Sequence, residues 1–287
     1  MSVAALGAPV SPRRGRRPWG NPLAYVIGLA VAALVVVPVL YVFVGGFRTT
    51  GQPAEKPYAL PDPWVPANYI DILATSAFWR QIFNSLLIAT VTTAVVVGFG
   101  ALAAFALSRY EFKGREALYG LFTLGLLFPV GVAILPLYLL LRNIGMLDTP
   151  WAVALPQAAF GLPLTIVILR PFMRQVPAEL EDAAVMDGAS RFAFFWRILL
   201  PLSKPALITV GILAFVASWN AYLLPLLLLS DPNQYTLPLG TATFQSQYSS
   251  DTAKILAFTA LSMLPALGFF VLAERRMIGG LTGSVKG

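Results

Sequence analysis

Long apolar runs without charge dominate the chain and alternate with short polar segments. Six of these runs contain no Asp, Glu, Lys or Arg and are long enough, or nearly so, to cross a hydrocarbon core of about 30 Å. Lipid offers no partner to a backbone polar group, so each run is predicted to be a transmembrane helix. A membrane β-barrel would show short alternating segments instead. The predicted spans are residues 23–47, 83–107, 117–141, 151–169, 206–229 and 255–273.

The basic residues predict the orientation of these helices. With the N-terminus in the cytoplasm, 15 of the 20 Lys and Arg residues fall on that side, in the arm 1–22, the loops after the second and fourth spans, and the tail 274–287. Cytoplasmic segments of membrane proteins carry such an excess. The sequence therefore predicts an all-α, polytopic membrane protein with six transmembrane helices and both termini in the cytoplasm. The first run is longer than a signal-peptide core and is predicted to remain as the first helix.

Prolines inside the spans predict irregular helices, because each proline removes a backbone donor and favours a kink. The outer segment between the first two spans is rich in Pro, Tyr and Trp, and a short interfacial helix is predicted there near residues 68–75. The prolines within spans are Pro38, Pro129, Pro136, Pro156, Pro163, Pro225 and Pro265.

Composition excludes most enzymatic chemistry. The chain is 57% hydrophobic and 11% charged, and it contains neither cysteine nor histidine. It therefore lacks thiolate nucleophiles, Ser–His and Cys–His pairs and the usual transition-metal ligands. No Gly-rich phosphate loop occurs, and no carboxylate spacing resembles a Mg²⁺ or Ca²⁺ site. We predict a non-enzyme whose net charge of +7 reflects membrane topology rather than binding of nucleic acid.

One predicted cytoplasmic segment, the acidic loop (residues 175–205), is much more polar than the spans beside it. Pro177 suits the first turn of a helix, Gly188 suits its end, and Ser190 suits the N-cap of a second helix. The first helix region carries the acids Glu179, Glu181, Asp182 and Asp187. The second helix is predicted to be amphipathic, with one apolar face formed by Phe192, Phe195, Trp196 and Leu199.

Small residues beside the acids predict a surface that another backbone can approach closely. Ala183, Ala184 and Gly188 lie together on the first helix and its end. The neighbouring carboxylates could then meet basic residues on a partner. From the residues alone, a docking surface and a solvated connector with ordinary helix caps both remain open.

The acidic loop also resembles the cytoplasmic signature of the permease subunits of binding-protein-dependent ABC importers. That signature reads Glu-Ala-Ala, three residues, Gly, nine residues, then Ile, any residue, Leu and Pro. Here Asp182-Ala183-Ala184 is followed at the same spacings by Gly188 and by Ile198-Leu199-Leu200-Pro201. Asp182 keeps the charge of the usual Glu on a side chain one methylene shorter. The resemblance extends over roughly residues 62–287, is closest to the maltose-type sugar branch, and includes stretches at 83–86, 107–114, 218–220 and 280–287.

The resemblance implies a type I ABC importer permease fold in a bacterial inner membrane, and transport by alternating access. It also implies specific partners: two copies of a cytoplasmic ATPase, a second homologous permease, an extracytoplasmic solute-binding protein and a sugar substrate. ATP and Mg²⁺ would be bound by the ATPase, and this chain would hold no cofactor. The acidic loop would be the coupling element that enters a groove of the ATPase. Its docking residues would be Glu181, Asp182, Ala183, Ala184, Asp187, Gly188, Ala189, Ile198 and Pro201.

A sugar pathway needs amides or hydroxyls for hydrogen bonds and aromatic rings for the faces of the sugar. Five residues within the spans offer such groups: Asn84, Gln157, Ser218, Trp219 and Asn220. Polar side chains in spans also form hydrogen bonds between helices, so a purely structural role stays open for each of them.

Three other functions remain as alternatives. The first is an importer of another solute, such as a polyol or an oligopeptide. The second is an ion-coupled secondary transporter, although such proteins hold ionisable residues at membrane depth and these spans contain none. The third is an intramembrane hydrolase with a Ser–Lys pair, although Lys204 and Lys254 lie outside the spans.

Overall fold

The computed structural model describes residues 22–245 and 250–282, with side chains described as far as residue 268. The predicted basic arm, apart from Pro22, and residues 283–287 of the predicted tail lie outside this part of the chain. The helices are α1 (Pro22–Gly45), α2 (Gln52–Glu55), α3 (Ala67–Ala74), α4 (Ser76–Arg109), α5 (Arg115–Gly125), α6 (Val130–Asn143), α7 (Pro150–Arg174), α8 (Ala178–Met186), α9 (Arg191–Phe194), α10 (Leu200–Leu202), α11 (Lys204–Trp219), α12 (Leu223–Leu228) and α13 (Thr252–Thr282).

The all-α prediction is confirmed, since residues 22–245 and 250–282 contain no β-strand beyond one isolated bridge. Three helices, α1, α4 and α7, are each long and apolar enough to cross a membrane. Two further pairs of helices meet the same criterion only when each bent pair is taken as one span, which raises the total to five in the described residues; the pairs are α5 with α6, and residues 191–202 with α11. Within the described residues α13 contributes a shorter apolar stretch, Thr252–Gly268. The count of six and the orientation of the termini stay predictions.

The predicted third and fifth spans are not continuous helices, and this corrects the sequence interpretation. The third divides into α5 and α6, whose axes differ by 96°. Pro129 lies at that break as the N-cap of α6, where its missing donor cannot continue α5. The fifth divides at residues 220–222 into α11 and α12. Residues 126–129 at the first break are exposed in this chain taken by itself, and so are Asn220 and Tyr222 at the second.

The centre of the fold is the contact of α4 with α7, which α11 extends on a further side of α4. Small residues let the backbones approach. A Cβ on Gly100 would lie 2.5 Å from Thr165 Cγ2, and one on Gly161 would lie 3.0 Å from Val96 Cγ2. Close approach through small residues is the usual way in which helices associate in lipid, where burial of apolar surface gives little driving force.

Polar side chains hold the segment between α1 and α4 in place through hydrogen bonds to backbone carbonyls. The predicted interfacial helix is α3 of this segment. Arg48 is buried and donates hydrogen bonds to the carbonyls of Pro57 and Ala59. Asn68 donates to the carbonyl of Gly46 at 2.9 Å, and the hydroxyl of Tyr69 donates to the carbonyl of Phe43 on α1. Burial raises the pKa of Tyr69 to about 12. This segment is therefore an ordered part of the fold.

The close contact of α4 with α7 can be tested by placing a larger side chain between the two helices. We expect Gly100→Leu to destabilise the protein by about 1–3 kcal/mol, because the new side chain overlaps Thr165 in a packed interface. Thermal unfolding of the purified chain in detergent measures this. Gly98→Leu on the same helix is the control, since nothing lies within 4 Å of its Cβ position. Equal melting temperatures for the two variants would contradict the packing described here.

Candidate functional site

The acidic loop folds as its sequence predicts, into a helix, a tight turn and a second helix. α8 ends before Gly188, whose φ of +80° is the left-handed conformation that glycine adopts without steric cost. Ser190 then caps α9, since its Oγ accepts a hydrogen bond from the backbone N–H of Ala193 at 3.1 Å. Pro177 is the N-cap of α8 rather than a residue of its first turn. These local signals therefore fix the shape of the loop.

The predicted apolar face of the second helix is only half right. Phe195 and Leu199 are fully buried, but Phe192 is 60% exposed and Trp196 is 55% exposed. Phe194 is buried in their place. The cause is a π-helical turn over Phe195–Leu199, which inserts an extra residue and shifts the buried face away from the 3.6-residue period.

α8 presents one face to the protein and the opposite face outward. Ala184 is buried in the cluster that α4, α7 and α9 form, so it packs within the chain and is not open to a partner. Glu181 turns the same way, toward Arg109 of α4. The outward face consists of Asp182, Ala183, Met186, Asp187 and Gly188, all of them exposed.

Met186 is a residue of this outward face that sequence reasoning missed. It is 87% exposed, which is unusual for a methionine. Met186 comes four residues after Asp182 and therefore lies on the same side of the helix as this signature acid. That spacing could have predicted its place on the outward face. Of the other predicted docking residues, Ala189 and Ile198 are half-buried against the core, and Pro201 is exposed in α10.

Two of the predicted pathway residues meet between α7 and α11. Ser218 donates a hydrogen bond to Gln157 Oε1, and Thr92 of α4 approaches the same oxygen at 3.4 Å. Nε2 of Gln157 is buried and has no hydrogen-bond partner among the described residues. All three side chains line a cavity of about 260 Å³ beside the start of α6. Thr92 was not predicted, because a threonine in an apolar helix carries no distinctive signal.

Trp219 and Asn220 lie at the broken end of α11 and line a second cavity, of about 530 Å³. We call it the Trp219 cavity. Trp219 stacks on Phe215 with ring centroids 6.0 Å apart, and Thr241 and Ser262 add hydroxyl groups to the lining. The cavity therefore combines an aromatic ring with an amide and hydroxyls.

Asn84, the fifth predicted pathway residue, does not join either cavity. It is buried, and Nδ2 donates to the carbonyls of Asn233 and Tyr235 at 2.9 and 3.0 Å. Its amide thus holds the segment after α12 against α4. In the described part of the chain, no cluster of three or more carboxylates could hold a metal ion.

Comparison with known proteins identifies the family. Residues 96–277 match the model of the binding-protein-dependent transport system inner membrane component family, and this match includes the whole acidic loop. The chain belongs to this family. It is therefore a multi-pass permease subunit of an ABC importer in an inner membrane, and a transport component rather than a catalytic enzyme. Membership also sets aside the ion-coupled and hydrolase alternatives.

Relatives match the permease along nearly its whole length. It is 38% identical to a putative ABC transporter permease of Caldicellulosiruptor sp. over 92% of this chain and 96% of the relative. It is 35% identical to the trehalose transport system permease of Mycobacterium tuberculosis, covering 91% and 96%. It is 32% identical to a diacetylchitobiose uptake system permease of Streptomyces coelicolor, covering 91% and 87%.

Solved structures support the fold. A chain of a bacterial ABC transporter that imports the polysaccharide alginate matches with a TM-score of 0.72 at 22% identity, covering 90% of the permease and 99% of that chain. A chain of an alginate transporter solved with its pentasaccharide-bound periplasmic protein matches with a TM-score of 0.61 at 17% identity, covering 88% and 92%. The all-α fold of the permease is thus that of ABC importers.

The N-cap of α9 gives a test of the local structure of the loop. We expect Ser190→Ala to cost roughly 1 kcal/mol, because the backbone N–H of Ala193 loses its acceptor. Hydrogen exchange of the α9 amides should then be faster. Ser190→Thr keeps a hydroxyl acceptor and should exchange like the unchanged permease. Identical exchange in Ser190→Ala would show that the cap does not stabilise the loop.

Proposed function

We propose that this permease forms half of the translocation pathway of an importer for a sugar or an oligosaccharide. The observation that carries the proposal is the outward face of α8, which sets two carboxylates beside small residues and an exposed methionine on an ordered loop. The substrate class is supported by the relatives, whose names specify trehalose and diacetylchitobiose. Transport proceeds by alternating access.

The proposed assembly contains two different permeases, two copies of a cytoplasmic ATPase and one extracytoplasmic binding protein. ATP and Mg²⁺ are bound by the ATPase, which agrees with the lack of a phosphate loop in this chain. Asp182 and Asp187 supply polar contacts to the ATPase, while Ala183 and Gly188 let its groove close around α8. Met186 fills an apolar part of that groove, since a flexible thioether adapts to irregular surfaces.

The sugar is proposed to pass the Trp219 cavity. An aromatic ring next to an amide and hydroxyls offers both kinds of contact that a sugar requires, and binding sites are commonly apolar with a few placed polar groups. The break between α11 and α12 leaves backbone groups at the same place, as in other transporters that bind substrate at discontinuous helices. Gln157, whose Nε2 has no hydrogen-bond partner among the described residues, is a second candidate contact.

Docking of the ATPase can be tested by enlarging one residue of the outward face. We expect Ala183→Trp to abolish co-purification of the ATPase with the tagged permease from native membranes, because the indole cannot enter a groove that fits alanine. Ala183 has helical backbone geometry, so the substitution leaves the turn at Gly188 unchanged. Lys113→Trp, in the exposed turn between α4 and α5, is the control and should retain the ATPase. Recovery of the ATPase with Ala183→Trp would contradict docking through this face.

The substrate pathway can be tested at Asn220. We expect Asn220→Ala to raise the apparent KM for sugar uptake several-fold, because one hydrogen bond contributes about 0.5–1.5 kcal/mol. Uptake of labelled sugar into proteoliposomes holding the complete importer measures this. Thr209→Ala, at an exposed position near the other end of α11, is the control. An unchanged KM with Asn220→Ala would remove this residue from the pathway.

A further inference from the structure

Arg109, the last residue of α4, lies where the membrane helices meet the acidic loop. Its Nη2 donates hydrogen bonds to the carbonyls of Met173 and Val176 at 2.9 and 2.6 Å. Its Nη1 lies 3.8 Å from Glu181 Oε2, and its Cζ lies 5.9 Å from the ring centroid of Phe194. One guanidinium therefore contacts the end of α7, the first half of α8 and the buried face of α9.

The bonds satisfy the carbonyl of Met173, in the last turn of α7, and the carbonyl of Val176, two residues beyond the end of α7. A cation is also favoured there by the helix dipole. Lysine could not reproduce this arrangement, because it presents a single ammonium where Arg presents a planar fork of donors. The geometry at Arg109 is thus specific to arginine.

α8 has few other attachments to the rest of the chain. Ala184 is its one buried residue, and its remaining side chains are exposed except for Glu181. The side chains of Arg109 and Glu181 are only 7% and 19% exposed, so their charges interact with less screening than a surface pair has. Glu181 is therefore separate from the acids of the outward face, although it adjoins Asp182 in sequence.

A buried arginine is seldom retained for stability alone, because well-packed apolar residues often replace buried charges without loss. Nε of Arg109 is buried and finds no hydrogen-bond partner among the described residues, so the position is not optimised for stability. Three helices nevertheless converge on this side chain. These observations point to a mechanical role.

We propose that Arg109 is a positioning residue that fastens the acidic loop to α4, so that the loop and α4 move as one body when the ATPase subunits move. The inference rests on the proposed function, because it requires an ATPase that displaces the loop. The ATPase pushes on the outward face of α8, and the motion reaches α4 through the contacts of Arg109 with Glu181 and with the carbonyls of Met173 and Val176.

A neighbouring arginine provides the matched control. Arg170 of α7 is also buried, donates from Nε to the carbonyl of Leu107 at 3.1 Å and pairs with Glu116. Its guanidinium lies 3.9 Å from the ring centroid of Tyr119. Arg170 thus joins α4, α5 and α7, and among the described residues it forms no hydrogen bond or ion pair with α8. Its replacement should weaken helix packing without freeing the loop.

The test measures the distance between α4 and α8 in the complete importer. The chain contains no cysteine, so cysteines placed at Leu102 and Val185, both exposed, can carry a specific pair of spin labels. With Arg109 intact, we expect the same distance distribution with and without ATP. Arg109→Gln should add a second, broader population and raise the ATP hydrolysed per sugar imported several-fold. Arg109→Lys should fall between the two.

Each outcome decides between the proposals. An unchanged distribution and unchanged ATP-to-sugar ratio in Arg109→Gln would overturn the role of Arg109 while leaving the proposed function intact. The same would follow if Arg170→Gln loosened the loop as much as Arg109→Gln. If the unmodified permease binds no ATPase, the proposed function itself fails. Glu181→Gln should loosen the loop yet retain the ATPase, whereas Asp182→Asn should weaken ATPase binding without changing the distance.

Discussion

The packing of α4 against α7 is the contact on which the rest of the structure depends. In lipid, apolar side chains gain little from meeting each other, so helices must approach closely enough for van der Waals contact along their backbones. Gly100 and Gly161 allow that approach from the two sides of the interface. α11 then packs on α4, the cavity at Gln157 opens between these three helices, and the Trp219 cavity opens between α11 and α13. The pathway candidates are therefore positioned by the core of the fold.

The same three helices also carry the acidic loop. Arg109 ends α4, Met173 lies in the last turn of α7, and α10 leads directly into α11. Phe194, Phe195 and Leu199 extend the buried cluster from the helices into the loop. Because core and loop share one cluster, a displacement of the loop changes the packing of the helices that line the cavities. This continuity gives the proposed coupling a physical path.

Features set by neighbouring residues could be predicted from the sequence, and features set by distant ones could not. The turn at Gly188 and the cap at Ser190 depend on backbone conformation within a few residues, and both predictions are confirmed. The inward direction of Glu181 depends on Arg109, which is remote in sequence, so the acid was assigned to the docking surface. Asn84 was likewise assigned to the pathway, because its partners lie after α12. The break at Pro129 was predicted as a kink, but a proline alone does not determine the 96° angle between α5 and α6.

The π-helical turn at Phe195–Leu199 has a consequence for how the length of the acidic loop can change. Surface loops usually tolerate the gain or loss of a residue. Here the extra residue sets how α9 is rotated about the helix axis relative to α10. Deleting one residue would restore a regular helix and turn α9 by about 100° around its own axis relative to α10. Because the turn at Gly188 joins α8 to α9, α8 would be carried around that axis and would leave its place against the buried cluster. The number of residues between the parts of the signature therefore determines where the docking surface of α8 lies.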